Sequence, residues 1–497
     1  MLPTINMQHS CGQTHFQLML DSGGFTIDTD VVESYRPTIT TTTPTQLYTA
    51  YLGPVTVDVS GTGETLSLEK FHNVNNKPIL VKVVDATEHN LNANTRYTLN
   101  RLKAYSATKI NKKTNKYYYV MTLLCMKKLA QLNNDTCSVA KKDALIKPYL
   151  SDTELTTKGT KEYPDLFAPA PTKSLAEYMK IKQAVIAYNS SVDIFFNTCN
   201  YLDFLFETTG LVSVNGLDAL LSVNGIPKLD NAFFTGQYMM YGSGDTMFLP
   251  LTSIDVIGHE LSHGLVSGTA NLEYKRHPGA QNEGYADILG TMFEDTMHEK
   301  YPDIFGEKDW LIGEDLGMNR PFLRNMKDPN AGRQPDKYHG KFYLDPNSKI
   351  DYGGVHINSG IINHCFYIAC QHQDKYKVFG VFIKCLHTLT KESNFMDFRD
   401  KLKLASNNDP IIIAALNKVG LNYSAVVDYG QPQPKPQPKP QPKPQPKPQP
   451  QSQPVCKHCP KHCPPTQQHH PQPQPRWPPQ PQPRWPPQQQ PQWPPQQ

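Results

Sequence analysis

His259-Glu260-Leu261-Ser262-His263 sets two histidines four residues apart. On a helix that spacing puts both rings on one face, aimed at a common point. Two imidazoles so placed are two corners of a tetrahedral zinc site. Glu283, in Asn282-Glu283-Gly284-Tyr285-Ala286-Asp287, can supply the third corner and leave the fourth open for water. Glu260, between the histidines, then stands where it can take that water's proton. The chemistry is hydrolysis, because water has a pKa near 15.7 and zinc lowers it to about 7.

His-Glu-x-x-His alone is a common string, and its bland reading is a polar helix face that binds nothing. Ile254, Val256, Ile257, Leu261 and Leu265 argue otherwise, since they lay an apolar stripe on the same stretch and bury the helix. Buried histidines and a buried glutamate need partners, and a metal is the simplest one. A ligating histidine also needs an acceptor for its second ring nitrogen. Asp287, one turn after Glu283 on the same helix face, suits that for His259, and Asn282 suits it for His263. The alternative for Asp287 is a solvated helix carboxylate.

An attacked amide develops negative charge on its oxygen, so further donors are required. The segment Asp351-Tyr-Gly-Gly-Val-His356-Ile-Asn-Ser-Gly-Ile fits this need. Gly353 and Gly354 permit close approach, Asn358 or Ser359 can cap a following helix, and His356 stands at its entry. A lone histidine at a helix start is usually structural, so spacing alone favours a structural role for His356.

A folded body must hold these groups, and composition locates it. The chain has 497 residues, enough for two ordinary domains. From about 431 to 497 the texture differs in kind: 26 of the 44 prolines and three of the four tryptophans lie there, with six lysines, two arginines and no acid. That stretch carries +8 against +4 for the whole chain, so the remainder carries −4 and no nucleic-acid partner is implied. No run of eighteen apolar residues occurs, so no transmembrane segment is expected. Met1 to about Leu20 lacks a basic start and a continuous apolar stretch, so no ordinary secretory signal is visible. Ten cysteines are too sparse for a disulfide-built fold, and Cys125, Cys199, Cys365, Cys370 and Cys385 read as reduced core residues. Asn-x-Ser/Thr triplets at Asn134, Asn189 and Asn422 matter only along a secretory route.

Along the chain, 1–48 reads as a leader or short pro-segment with a threonine-rich run at Thr38–Thr45. Residues 49–252 read as a β-rich catalytic lobe, 253–428 as a mainly helical lobe, and 429–497 as a disordered Pro/Gln-rich tail. Strands are expected at Thr56–Val59, Pro78–Val84 and Tyr117–Met121. Helices are expected over 173–209, 253–268, 281–298, 358–372, 376–388 and 396–417. The expected class is α+β, with the zinc helix between a β-rich and a helical lobe. In the tail, Lys-Pro-Gln-Pro repeats enforce polyproline II and preclude a packed core. It is a solvated spacer, a tether for the enzyme, or a ligand for proline-recognising modules. Its Cys456, His458, Cys459, His462 and Cys463 could chelate a soft metal, cross-link chains, or have no fixed role.

Three strings in order resemble the thermolysin-like zinc metallopeptidases, the gluzincin-type neutral metalloproteases. They are Asp255-Val-Ile-Gly-His-Glu-Leu-Ser-His-Gly, Asn282-Glu-Gly-Tyr-Ala-Asp-Ile, and Gly353-Gly-Val-His-Ile-Asn-Ser-Gly-Ile-Ile-Asn. Asn231-Ala-Phe-Phe-Thr-Gly resembles the same family's substrate-edge strand, and the similarity runs from roughly Tyr51 to about Leu421. The resemblance implies zinc on His259, His263 and Glu283, with Glu260 as catalytic carboxylate. It implies Tyr274 and His356 as oxyanion donors, with Asp351 orienting His356, and Arg324 gripping a substrate carbonyl. Asn231 and Ala232 would bond the substrate backbone, and Phe248, Leu251, Val256 and Leu323 would form a pocket for a bulky apolar residue just after the cut.

The resemblance also implies structural calcium on Asp255, Glu294, Asp309 and Glu314. Leu311 could offer only its carbonyl, and Thr291 replaces a carboxylate found elsewhere in the family, so one ion is expected rather than two. Secretion is the family's habit, against the absence of a visible signal here. The function expected is therefore a zinc endopeptidase acting on peptides or proteins. A zinc aminopeptidase would need an acidic anchor for a free amino terminus, and no such motif is evident. The alternative from another class is a catalytically silent, zinc-stabilised adhesion or scaffold protein working through its tail.

Overall fold

The computed structural model describes residues 42–422 apart from 62, 94–96, 302–308 and 318–320. Expectations for the first 41 residues and for the proline-rich tail lie outside the described residues, as do those for its Cys/His cluster. The chain divides into two units. One comprises the described residues of Met1–Thr269 with Ala286–Leu323, the other those of Ala270–Tyr285 with Arg324–Gln497.

The first unit opens with a hairpin, β1 (Thr43–Tyr48) antiparallel to β2 (Pro54–Val59). Thr43–Tyr48, expected within a leader, is thus a strand of the fold. After β3 (Thr65–Ser67) comes the main sheet, built from β4 (Glu69–Val74), β5 (Lys77–Asp85), β7 (Ala219–Ile226), β8 (Ala232–Phe234) and β9 (Met239–Gly242). Its order is β4-β5-β7-β9-β8. The pairs β5/β7 and β7/β9 are parallel and the outer pairs antiparallel, so β8 is an edge strand. Short β6 (Lys109–Asn111) pairs with β3.

Helices interleave these strands. They are α1 (Leu99–Ala104), α2 (Lys112–Leu132), α3 (Thr136–Ile146), α4 (Thr153–Glu162) and α5 (Leu175–Thr209). Tyr117–Met121, expected as a strand, lies in the middle of α2. Burial there is unbroken from Tyr119 to Cys125, with Asn115, Tyr117, Lys128 and Ala130 also buried, so this helix is covered on more than one face. Asn111 accepts from Thr114 N at 3.0 Å and caps its start. Short-range aromatic and β-branched content suggested extension, but packing of α2 against α3 and α5 decided the outcome.

Helix α5 is about 50 Å long at 1.5 Å per residue. A capping box of Ser174 and Glu177 starts it, and Gly210, left-handed at φ 75°, ends it. Nearly every residue from Asn189 to Leu205 is buried, so this helix is the central post of the unit. Asn189 is fully buried and donates to Asn115 O at 3.2 Å, which leaves no room for a glycan at that triplet.

Helix α6 (Ile254–Gly268) packs against α5, where Tyr201 Oη lies 2.7 Å from Ser262 Oγ. Helix α7 (Arg276–Lys300) gives its first part to the second unit and its remainder to the first. The second unit otherwise consists of α8 (Asp351–Cys370), α9 (Lys375–Leu386), α10 (Phe395–Ala405) and α11 (Pro410–Lys418). Its core includes Tyr285, Ile361, Cys365, Phe366, Phe382, Phe398 and Ile412.

The single helix expected over 396–417 is two. Asn407 and Asn408 are left-handed at φ 54° and 58°, and Pro410 opens α11. Cys125, Cys199, Cys365 and Cys385 are free and buried, whereas Cys370 is only partly covered. Among the described residues, no helix is long and apolar enough to cross a membrane.

Candidate metal centre and active site

In the first unit, His259 and Glu260 are each 6% exposed on α6. The rings of His259 and His263 meet edge to face with centroids 4.6 Å apart, and their Nε2 atoms are 3.0 Å apart. His259 Nδ1 lies 2.8 Å from Oδ1 of the fully buried Asp287. That contact depends on a close crossing of α6 with α7. A Cβ on Gly290 would stand 2.7 Å from Asp255 O and 3.2 Å from His259 N, and one on Gly258 would stand 3.0 Å from Gly290 Cα. Two glycines thus allow backbone to meet backbone where the histidine must reach its carboxylate.

In the second unit, Tyr274, Glu283, Asp351 and His356 gather. Tyr274 Oη donates to Glu283 Oε1 and lies 3.1 Å from His356 Nε2. His356 Nδ1 lies 2.5 Å from Asp351 Oδ1, while His356 N and Ile357 N both donate to Asp351 Oδ2 at 2.9 Å. Burial works against a charged His356. Glu283 and Asp351 outweigh it, against Arg324, and push the group up to about 9. The ring retains 42% of its side-chain surface, so water softens the burial penalty and the two carboxylates govern the direction.

Neither Asn358 nor Ser359 caps the helix that holds His356. Residues 351–354 form a left-handed turn, and the helical backbone begins after it, capped by the Asp351 carboxylate. Asn358 is held elsewhere: it accepts from Leu344 N at 3.0 Å and donates to Leu344 O at 2.8 Å. Asn282 donates to Leu272 O at 3.3 Å. Glu283 and Asp287 are one turn apart on α7.

The comparisons with known proteins bear on this arrangement. A model of the thermolysin metallopeptidase catalytic domain matches residues 47–267, and one of the thermolysin metallopeptidase alpha-helical domain matches 270–424. Neutral protease NprE of Bacillus pumilus is 35% identical over 47% of this chain and 77% of its own length. The chain belongs to the thermolysin family of metallopeptidases.

Other curated relatives are similar over smaller shares of their own length. Bacillolysin of Bacillus subtilis subsp. amylosacchariticus is 35% identical over 47% of this chain and 44% of its own length. Thermolysin of Alicyclobacillus acidocaldarius is 35% identical over 42% and 40%. A solved structure, the precursor of protealysin, a metalloproteinase from Serratia proteamaculans, is 27% identical. It covers 47% of this chain and 79% of its own, with a TM-score of 0.41. As a thermolysin-family enzyme the chain is a zinc metalloendopeptidase acting on peptides or proteins. The silent-scaffold alternative finds no support in these matches.

The other family positions fall as follows. Ala232 begins the edge strand β8, and Asn231 O accepts from Gly242 N at 3.0 Å. Helix α6 packs beside that strand. Phe248, Leu251 and Val256 are buried and Leu323 is half-buried. Asp255 accepts from Ser253 Oγ at 2.5 Å and from Val256 N at 2.8 Å, and also from Gly313 N. Leu311 N donates to Asp309 Oδ1 at 2.8 Å. Burial, with Asp255 and Glu314 beside it, raises Glu294 well above the ordinary carboxylate range. Burial, with Asp255 and Asp315, pushes Glu314 up to about 9. These are the marks of carboxylates crowded out of water.

Sequence reasoning missed Asp230. Its carboxylate accepts from Asp245 N at 2.7 Å, Thr246 N at 3.1 Å, Met247 N at 3.2 Å and Phe248 N at 3.1 Å. It therefore ties the loop carrying Phe248 to the start of the edge strand. An aspartate just before Asn-Ala-Phe was the only signal, and its partners lie 15 to 18 residues away.

Proposed function

We propose that this enzyme cuts internal peptide bonds on the N-terminal side of bulky apolar residues, with Glu260 as general base and His259, His263 and Glu283 holding zinc. The His259–Asp287 contact carries the reading. With Nδ1–H donated to Asp287, the Nε2 of His259 keeps its lone pair, directed toward His263 Nε2 at 3.0 Å. Two converging nitrogen donors of this kind suit a soft-to-borderline cation, and Glu283 shares a helix face with Asp287. Bound there, zinc would supply acidification of water and polarisation of the scissile carbonyl.

The remaining steps belong to the chain. Glu260 takes the proton of the attacking water and passes it to the leaving amine. Tyr274 and His356 donate to the oxygen on which charge develops, and Asp351 fixes the orientation of His356. Asn231 and Ala232 align an extended substrate along the β8 edge, Arg324 holds a carbonyl, and Phe248, Leu251, Val256 and Leu323 receive the side chain after the cut. Asp255, Glu294, Asp309, Glu314 and the carbonyl of Leu311 would hold one calcium, since hard oxygen donors crowded in a buried place favour a hard cation.

A set of internally quenched peptides with both termini blocked tests the specificity. Leucine or phenylalanine after the cut should give kcat/KM on the order of 10²-fold above glycine or aspartate. A flat series, or a need for a free amino terminus, would overturn the proposal.

A further inference from the structure

The turn before α8 contains four consecutive left-handed residues: Asp351 at φ 50°, Tyr352 at φ 50°, Gly353 at φ 85° and Gly354 at φ 90°. The two glycines are explained by space as well as by φ. A Cβ on Gly353 would stand 2.4 Å from Pro346 O, and one on Gly354 would stand 2.6 Å from Asn358 Nδ2. Asp351 is explained by its carboxylate, which caps the helix and holds His356. Tyr352 has no such local reason. A bulky side chain in the left-handed region is strained, and glycine or asparagine would sit there more easily. Its ring packs on the ring of Tyr274 with centroids 6.1 Å apart and planes at 62°, within the range of favourable edge-to-face contact. Tyr274 is 38% exposed; Glu283 and His356 hold its hydroxyl, and the rings of Tyr352 and His356 both contact its ring.

We infer that Tyr352 is a positioning residue that holds Tyr274 with its hydroxyl directed at the oxyanion position, an inference that rests on Tyr274 being an oxyanion donor. Adjacent residues of one turn then each steady one of the two donors: Asp351 for His356, Tyr352 for Tyr274. The strain in the turn is the consequence of placing an aromatic ring where only a left-handed residue can aim it.

The full-length zinc enzyme and a blocked, internally quenched peptide supply the test. Tyr352→Asn keeps the left-handed preference and removes the ring. It should lower kcat about 10-fold, with KM within about twofold, zinc content unchanged and Tm equal or higher, the loss set by misplacing one donor. Tyr352→Phe keeps the ring and should behave as wild type. In a Tyr274→Phe background, Tyr352→Asn should have no further effect on kcat. Wild-type kcat in Tyr352→Asn, a parallel fall of Tm or zinc content, or the same loss in both backgrounds overturns the inference alone. Full kcat in Tyr274→Phe overturns the donor reading beneath it.

Discussion

Glu260→Gln should lower kcat for a blocked internal peptide by about 10³-fold, within the range by which positioned general bases contribute. The amide has nearly the volume of the carboxylate but no basicity, so the attacking water would lose its proton acceptor while the packing of α6 changes little. Glu260 is 6% exposed on a helix buried from Ile254 to Ser262, so bulk water cannot readily substitute as base. Zinc content measured on the same sample should stay at the wild-type level, because the proposed ligands flank Glu260 and do not include it. Loss of both zinc and activity would instead make Glu260 a ligand, and retained activity would remove it from the mechanism.

Gly290→Ala should be a damaging single-methyl change at the crossing of α6 with α7. Its Cβ would stand 2.7 Å from Asp255 O, a backbone atom with no rotamer to yield, and overpacking of this kind costs about 1–3 kcal/mol. The displaced segment carries both Asp255 and His259. The contact from His259 Nδ1 to Asp287 should therefore lengthen, and metal affinity should fall about 10-fold or more, as for other losses of a carboxylate behind a ligating histidine. Gly380→Ala is the matched control: it lies within α9 and its Cβ meets nothing within 4 Å. Removing a helical glycine there should stabilise by about 0.5–1 kcal/mol. Thermal melts and competitive zinc titration read both effects, and equal outcomes for the two variants would refute the crossing argument.

What the sequence disclosed follows from how local each signal was. The stripe Ile254, Val256, Ile257, Leu261 and Leu265 specified a buried helix, and α6 spans Ile254–Gly268. Pro78–Val84 was legible as a strand because a near-continuous apolar run suits the middle of a sheet, and β5 covers it. Tyr117–Met121 misled because aromatic and β-branched content weighs short-range preference, whereas the helix is buried from Tyr119 to Cys125 by packing on α5, a partner far along the chain. The break at Asn407 and Asn408 is encoded in Asn-Asn-Asp-Pro, a turn signal inside an otherwise helical pattern. The site divides the same way. Asp287 was legible because helical periodicity alone brings it to the face of Glu283. Asp230 and Tyr352 were not, since one acts through loop amides far along the chain and the other through a turn conformation that no periodicity encodes.

The most direct test is metal removal and return on one blocked, internally quenched peptide. Exhaustive chelation should abolish its cleavage, and titration with zinc should restore activity along a line that saturates at one equivalent per chain. Cleavage that persists in the metal-free protein, or that returns only after the peptide's amino terminus is freed, would contradict a zinc endopeptidase built on His259, His263 and Glu283.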